Sequence, residues 1–274
     1  MSKKRKHGGR ATAPRPRVCL FCGSTARMTE EHIFPRWLRQ LGYTGNGWRE
    51  ITDERATLVR RVEQGSPFNK TLKVVCGPCN NEWMATMEDE VKPILLDMFN
   101  VHGQVALDAD RQLLLARWSF KTMCVIAELG QSASPIPLEH AREFRSTDLP
   151  PRQCQIWIGT ASAQPHPQGV ELAQSRVLPR KGAVTVPDGR VDFTAYQARF
   201  RLLNVFFDAF GHGGPSFKAE LSMDGELGRA LLPIWPTVHP KIWWPPAQTL
   251  DVIGGIDGLA KIPIRSLSPL DPPE

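Results

Sequence analysis

From residue 80 onward, apolar side chains return at intervals of three and four: Trp83, Met84, Met87, Val91, Ile94, Leu95 and Met98. That period lines up one face of an α-helix. Pro93 should bend it, because proline removes a backbone donor from the helix interior. A second and stronger helix is expected over "DRQLLLARWSFKTMCVIAELG", starting at Asp110 and ended by Gly130. A short third helix follows over "LEHAREF". Beyond residue 150 the character changes: "QCQIWIG", "GAVTVP", "RVDFTAY" and "ARFRLLNVFFDAF" are β-prone runs separated by Pro/Gly segments. Upstream, "TLKVVC" reads as a strand, "RWLRQLG" as a short helix closed by Gly42, and residues 45–70 as a loop and hairpin insertion. The prediction is an α+β protein, with the helix over 110–129 packing on the "QIWIG" and "RLLNVFFDAF" strands.

Length fits one large domain or two ordinary ones in 274 residues, and 41% hydrophobic content allows a sizeable core. The pattern divides the chain into 1–17, 18–100 and 101–274. No apolar run approaches the ~18 residues of a membrane span, and no apolar segment follows the basic N-terminus. We therefore expect a soluble, cytoplasmic protein with no membrane partner.

Charge changes this picture at one place. The net charge is +6, yet residues 1–17 hold seven Lys/Arg and no acid, so the remainder sums to −1. Residues 101–274 carry 17 basic and 17 acidic side chains, which gives that half no net basic signal. The first 17 residues, rich in Gly, Ala and Pro, read as a disordered basic arm. Such an arm suits phosphate contacts driven by counterion release, or serves only to solubilise the chain.

Four of the six cysteines form two C-x-x-C pairs, "CLFCG" at Cys19 and Cys22 and "CGPCN" at Cys76 and Cys79. In a reducing compartment such pairs point to metal rather than to bridges. The spacing lets one turn aim two thiolates at a tetrahedral ion, and four thiolates make a closed structural zinc site. A redox C-x-x-C is the competing reading, but it needs a βαβ context that the pattern lacks. Cys124, in an apolar helix, and Cys154, in a strand, read as inert core residues.

Between the pairs lies "MTEEHIFPRW". Cys19-x-x-Cys22, then Glu31-His32-Ile33-x-Pro35, then Cys76-x-x-Cys79-Asn80 resembles the HNH endonuclease family over roughly residues 18–92. The resemblance implies a ββα-metal core with an added four-Cys zinc site of treble-clef type, followed by a mixed α+β region. It implies hydrolysis of DNA phosphodiesters that leaves 5′-phosphate and 3′-hydroxyl ends. His32 matches the family's general base. Glu31 and Asn80 match ligands of a catalytic divalent ion, for which hard oxygen donors suit Mg²⁺ or Mn²⁺.

Three departures matter. Glu31 is one methylene longer than the commoner Asp. Adjacent strand residues face opposite ways, so Glu31 and His32 share a site only at a bulge or strand end, and Glu30 would share His32's face by parity. The family's closing His is replaced by Met84, with Glu82 or Glu88 as candidate substitutes. Among the neighbours, Asn81 is a candidate helix N-cap, Trp83 and Met87 read as core, and Trp37 reads as packed beneath the hairpin rather than stacked on a base. The alternative reading is a zinc-dependent nucleic-acid- or protein-binding module whose active site has decayed.

Overall fold

A computed structural model of the chain describes residues 18–40, 48–54, 57–63, 67–100, 103–129, 134–160, 173–186, 189–213, 217–221, 223, 225–250 and 264–269. The expected arm at 1–17 and the helix-ending Gly42 and Gly130 lie outside these residues. In chain order come β1 (Met28–His32), α1 (Trp37–Gln40), the hairpin β2 (Trp48–Glu54) and β3 (Thr57–Glu63), a 3-10 turn (Pro67–Asn69) and β4 (Thr71–Cys76). A continuous helical stretch follows: α2 (Gly77–Cys79), a π-helical turn (Asn80–Met84) and α3 (Ala85–Phe99). Next are β5 (Val105–Asp108), α4 (Ala109–Ala127) and α5 (Leu138–Thr147). The remainder is mainly strand: β6 (Cys154–Thr160), β7 (Ala173–Val186), β8 (Gly189–Leu202), β9 (Val205–Gly213) and β10 (Phe217–Leu221). It ends with α6 (Glu226–Ala230), β11 (Leu231–Trp235), β12 (Lys241–Trp244) and β13 (Ile264–Pro269).

The architecture is α+β, as the pattern predicts. Seven strands form one sheet in the order β11-β6-β9-β8-β7-β2-β3, antiparallel except where β2 runs parallel to β7. The hairpin read as an insertion therefore extends a sheet built mostly from the second half of the chain. Pairs β1–β4, β5–β12 and β10–β13 stand as separate two-stranded ladders.

The 110–129 helix does pack on the sheet. Alternation along β8 and β9 sends Phe200 and Phe207 to the same face, where their rings stack at 4.8 Å. Trp118 of α4 meets both edge-on, at 5.7 and 5.5 Å. All three are fully buried, and each contributes roughly 1.5–3 kcal/mol by leaving water. The helix starts one residue earlier than expected. Asp108, not Asp110, caps it, accepting a hydrogen bond from the Arg111 amide at 2.9 Å. An aspartate just outside the first turn satisfies an orphan N–H better than one already inside it.

Two aromatic side chains, Phe34 and Phe21, help fasten the N-terminal segment to this core. Phe34, from the "EHIFP" stretch, lies 5.8 Å from Phe200. Phe21, between the first two cysteines, meets Trp83 edge-on at 5.2 Å and Phe144 of α5 at 6.3 Å. The face expected from the pattern is the buried one, with Met84 of the π-helical turn and Met87, Val91, Ile94, Leu95 and Met98 of α3 in the core, and Trp83 partly buried against it. At its end the Met98 carbonyl accepts from both Asn204 Nδ2 at 3.0 Å and Trp244 Nε1 at 3.1 Å. Asn81 does not cap the helix. The helical stretch begins at Gly77 with Cys76 as N-cap and Pro78 in the first turn, so Asn81 already lies inside it. Among the described residues no helix is long and apolar enough to cross a membrane.

Candidate metal centre and active site

The first cysteine pair sits on a tight turn. Gly23 closes it, donating to the Cys19 carbonyl at 2.9 Å from a backbone φ of +70°, a conformation that favours glycine. The Leu20 amide bonds to the Val74 carbonyl at 2.9 Å, tying the turn to β4. That strand delivers Cys76 at its end and Cys79 in the first helical turn. All four Sγ atoms lie within 4.8 Å of one another, and Cys22 and Cys76 are 3.6 Å apart. Thiolates about 2.3 Å from one tetrahedral zinc are separated by about 3.8 Å, so the cluster is placed to hold a metal ion such as zinc. Burial pushes the Cys19 thiol up, but backbone N–H donors from Cys22, Cys76 and Phe21 outweigh it and bring it down to about 7. The other two cysteines behave as expected of core residues: Cys124 and Cys154 are buried, and burial raises the Cys154 thiol to about 12.

The same strand pair carries "MTEEH". Between Thr29↔Val75 and Glu31↔Leu72 the register of β1 and β4 shifts, leaving one residue of β1 opposite two of β4. His32 is the last residue of β1. The extra residue lies on β4, so β1 keeps its own alternation, and it is the strand end at His32 that lets it share a site with Glu31. They open onto one cavity of about 290 Å³, together with Glu30, Arg36, Asn80 and Glu88. Glu82 is not among the cavity's residues, whereas Glu88 and Met84 are. Glu30 is mostly exposed and faces Lys73 at 3.4 Å.

Asn80 is oriented by its partners. Its Nδ2 donates to Thr29 Oγ1 at 3.0 Å and to the Glu30 carbonyl at 3.2 Å. A carbonyl only accepts, which fixes the nitrogen on that side and leaves Oδ1 as the acceptor end. His32 is half-buried. Burial and the neighbouring Arg36 guanidinium lower its pKa, outweighing Glu88 and Glu30, which favours a neutral imidazole. Trp37 is buried against Phe99 at 6.4 Å, with the Lys92 ammonium 5.7 Å from its ring centre, a packing role.

Lys121 is a site residue that sequence reasoning misses. This α4 residue is 0% exposed, and its Nζ lies 3.3 Å from Glu31 Oε1 and 2.9 Å from Glu88 Oε1. Burial works against its charge, but Glu88 and Glu31 outweigh burial and raise its pKa. The signal is present in "SFKTMCVIA": a single cation in an apolar helical run must find a partner.

Comparison with protein-family models, curated protein sequences and solved structures finds no match to this chain.

Proposed function

We propose that the chain is a metal-dependent nuclease of HNH type that hydrolyses DNA phosphodiester bonds, with His32 as general base. One observation carries the reading. Glu31, His32, Asn80 and Glu88 converge on a polar cavity beside a four-thiol cluster that would hold structural Zn²⁺. Two antiparallel strands followed by a helix support the same reading, because they bring residues from both sides of the second cysteine pair together.

The donor set suits a hard divalent ion. Glu31 offers carboxylate oxygen, and Asn80 offers Oδ1, the end of the amide its hydrogen bonds leave available. Bound there, Mg²⁺ or Mn²⁺ would supply Lewis-acid stabilisation of the phosphate and the leaving oxygen. The remaining work falls to side chains. Neutral His32 takes a proton from the attacking water through a ring nitrogen. Arg36, at the same cavity, faces the phosphate charge. A second cavity of about 280 Å³ shares His32 and Arg36 and adds Arg39, whose Nη1 bonds Asn69 Oδ1 at 3.0 Å. The substrate backbone would run across α1 along these two arginines. Met84 at the cavity favours the second reading, a decayed binding module, since a thioether is a poor ligand for a hard ion.

Incubation with supercoiled plasmid separates the two. Nicked or linear product that requires Mg²⁺ or Mn²⁺ and is abolished by EDTA is the expected result. Tight DNA binding with no product would favour the binding module.

Phosphate contacts position the backbone without reading sequence. Deleting residues 1–17, or replacing Arg39 with Ala, should therefore flatten the dependence of log affinity on log salt, by about 0.9 for each phosphate no longer neutralised. Sequence choice should not change. An unchanged slope after the deletion would show that the arm does not touch DNA.

A further inference from the structure

We propose that Lys121 is a built-in cation that positions the exchangeable metal: its ammonium fills the space between the Glu31 and Glu88 carboxylates and confines the divalent ion to the Glu31–Asn80 side of the cavity. The inference rests on the nuclease reading for its metal site, and it assigns a residue of the 101–274 segment a role at that site.

The geometry is that of a shared cation. Lys121 comes from α4, whereas Glu31 lies near the end of β1 and Glu88 on α3. One ammonium contacts Oε1 of each carboxylate, at 3.3 and 2.9 Å. Lys121 is fully buried and Glu31 nearly so, while Glu88 is partly exposed. Two carboxylates this close, with no cation between them, are the arrangement that recruits a divalent ion. With Lys121 in place the three side chains carry one net negative charge instead of two. Glu31 keeps its second oxygen as an acceptor, and Glu88 is paired through Oε1 with the buried ammonium. Lys121 cannot touch substrate, because it has no exposed surface, so it acts through Glu31.

The test is Mn²⁺ binding, read by calorimetry on the folded, zinc-loaded chain in the absence of DNA, with plasmid cleavage measured beside it. Lys121→Met should bind Mn²⁺ roughly tenfold more tightly, because a nearby positive charge has gone, while cleaving more slowly because the ion settles between the carboxylates. Opposite signs for binding and cleavage separate positioning from loss of structure, which would weaken both. Glu88→Gln, at a partly exposed position, should weaken Mn²⁺ binding several-fold by unmasking the ammonium, and provides a reading even if Lys121→Met fails to fold. The double variant Lys121→Met/Glu88→Gln restores the original charge balance and should return Mn²⁺ affinity to the wild-type level.

Unchanged or weaker Mn²⁺ binding in folded Lys121→Met overturns the proposal. So does an unchanged affinity in Glu88→Gln, or a double variant that binds no better than Glu88→Gln alone, since Glu88 would then be a direct ligand. A wild-type chain that binds Mn²⁺ but cuts no DNA removes the nuclease reading and leaves the Lys121 binding test standing. A wild-type chain that binds no Mn²⁺ overturns both.

Discussion

Replacing His32 with Ala should lower plasmid cleavage by roughly 10²–10⁴-fold, the usual contribution of a general base, while leaving fold and zinc content intact. The asymmetry follows from where His32 sits. It is the last residue of β1, half-buried and open to both cavities, so its removal leaves no void in the core. The neighbouring anchors, Ile33 and Phe34, are each only 1% exposed and hold the segment without it. Burial and Arg36 keep its pKa below the ordinary histidine value, so the imidazole is available to accept a proton at neutral pH. Circular dichroism and elemental analysis would check the fold and the zinc, and gel quantitation the rate. Cleavage by His32→Ala at the wild-type rate would make His32 structural and remove the mechanism.

The neighbouring substitutions should behave differently from His32. Asn80→Ala should raise the Mg²⁺ or Mn²⁺ concentration needed, with activity partly recovered at high metal, as its proposed role as ligand rather than base requires. Glu31→Ala should share that signature but add a stability cost, because it strands part of the Lys121 charge in the interior. Glu30 is the control. Its side chain is 60% exposed and paired with Lys73, and surface pairs of this kind contribute about 0–1 kcal/mol. Glu30→Ala should therefore be mild.

What is legible in the sequence is whatever depends on local period and spacing. The α3 stripe declares itself because one face is buried and burial imposes a repeat, whereas α4, β6 and β9, buried on nearly every side, declare themselves as apolar runs bounded by turn residues. Each C-x-x-C pair is readable because its geometry is local, and the joining of the two in one cluster follows from the number of thiols a closed site needs. Non-local pairing is not. Nothing in "ATLVRRV" says that its hairpin will run beside β7, because edge pairing is decided by strands more than a hundred residues away. That β1 ends at His32, which lets it share a site with Glu31, enters from the sequence only as a requirement, since where the ladder stops depends on both strands at once. Lys121 escapes notice because a charge in an apolar run announces a partner without naming it. Its partners lie in two separate elements upstream.

Replacing Cys76 with Ser should abolish stoichiometric zinc and unfold the candidate site, the largest stability effect expected anywhere in the chain. Structural zinc binding is folding free energy, with apparent values of about 10–16 kcal/mol in small zinc modules at neutral pH. Here the cluster would join separate parts of the chain. Cys76 ends β4, Cys79 lies in the first turn of the helical stretch that presents Asn80, and the turn bearing Cys19 and Cys22 reaches β4 through the Leu20–Val74 bond. Loosening the cluster should therefore move Asn80 away from Glu31 and His32 as well as lower the melting temperature. A strong chelator should do the same to the unmodified protein, and added Zn²⁺ should reverse it. Cys124→Ala is the comparison: that thiol is buried in α4 apart from the cluster, so it should keep one zinc per chain and lose only packing energy. Natively purified protein that contains no zinc, or a Cys76→Ser variant that melts with the wild type, would show that the four thiols are a reduced cluster and that the site is held without a metal, by the β1–β4 ladder, the Leu20–Val74 bond and the contacts of Phe21 and Phe34.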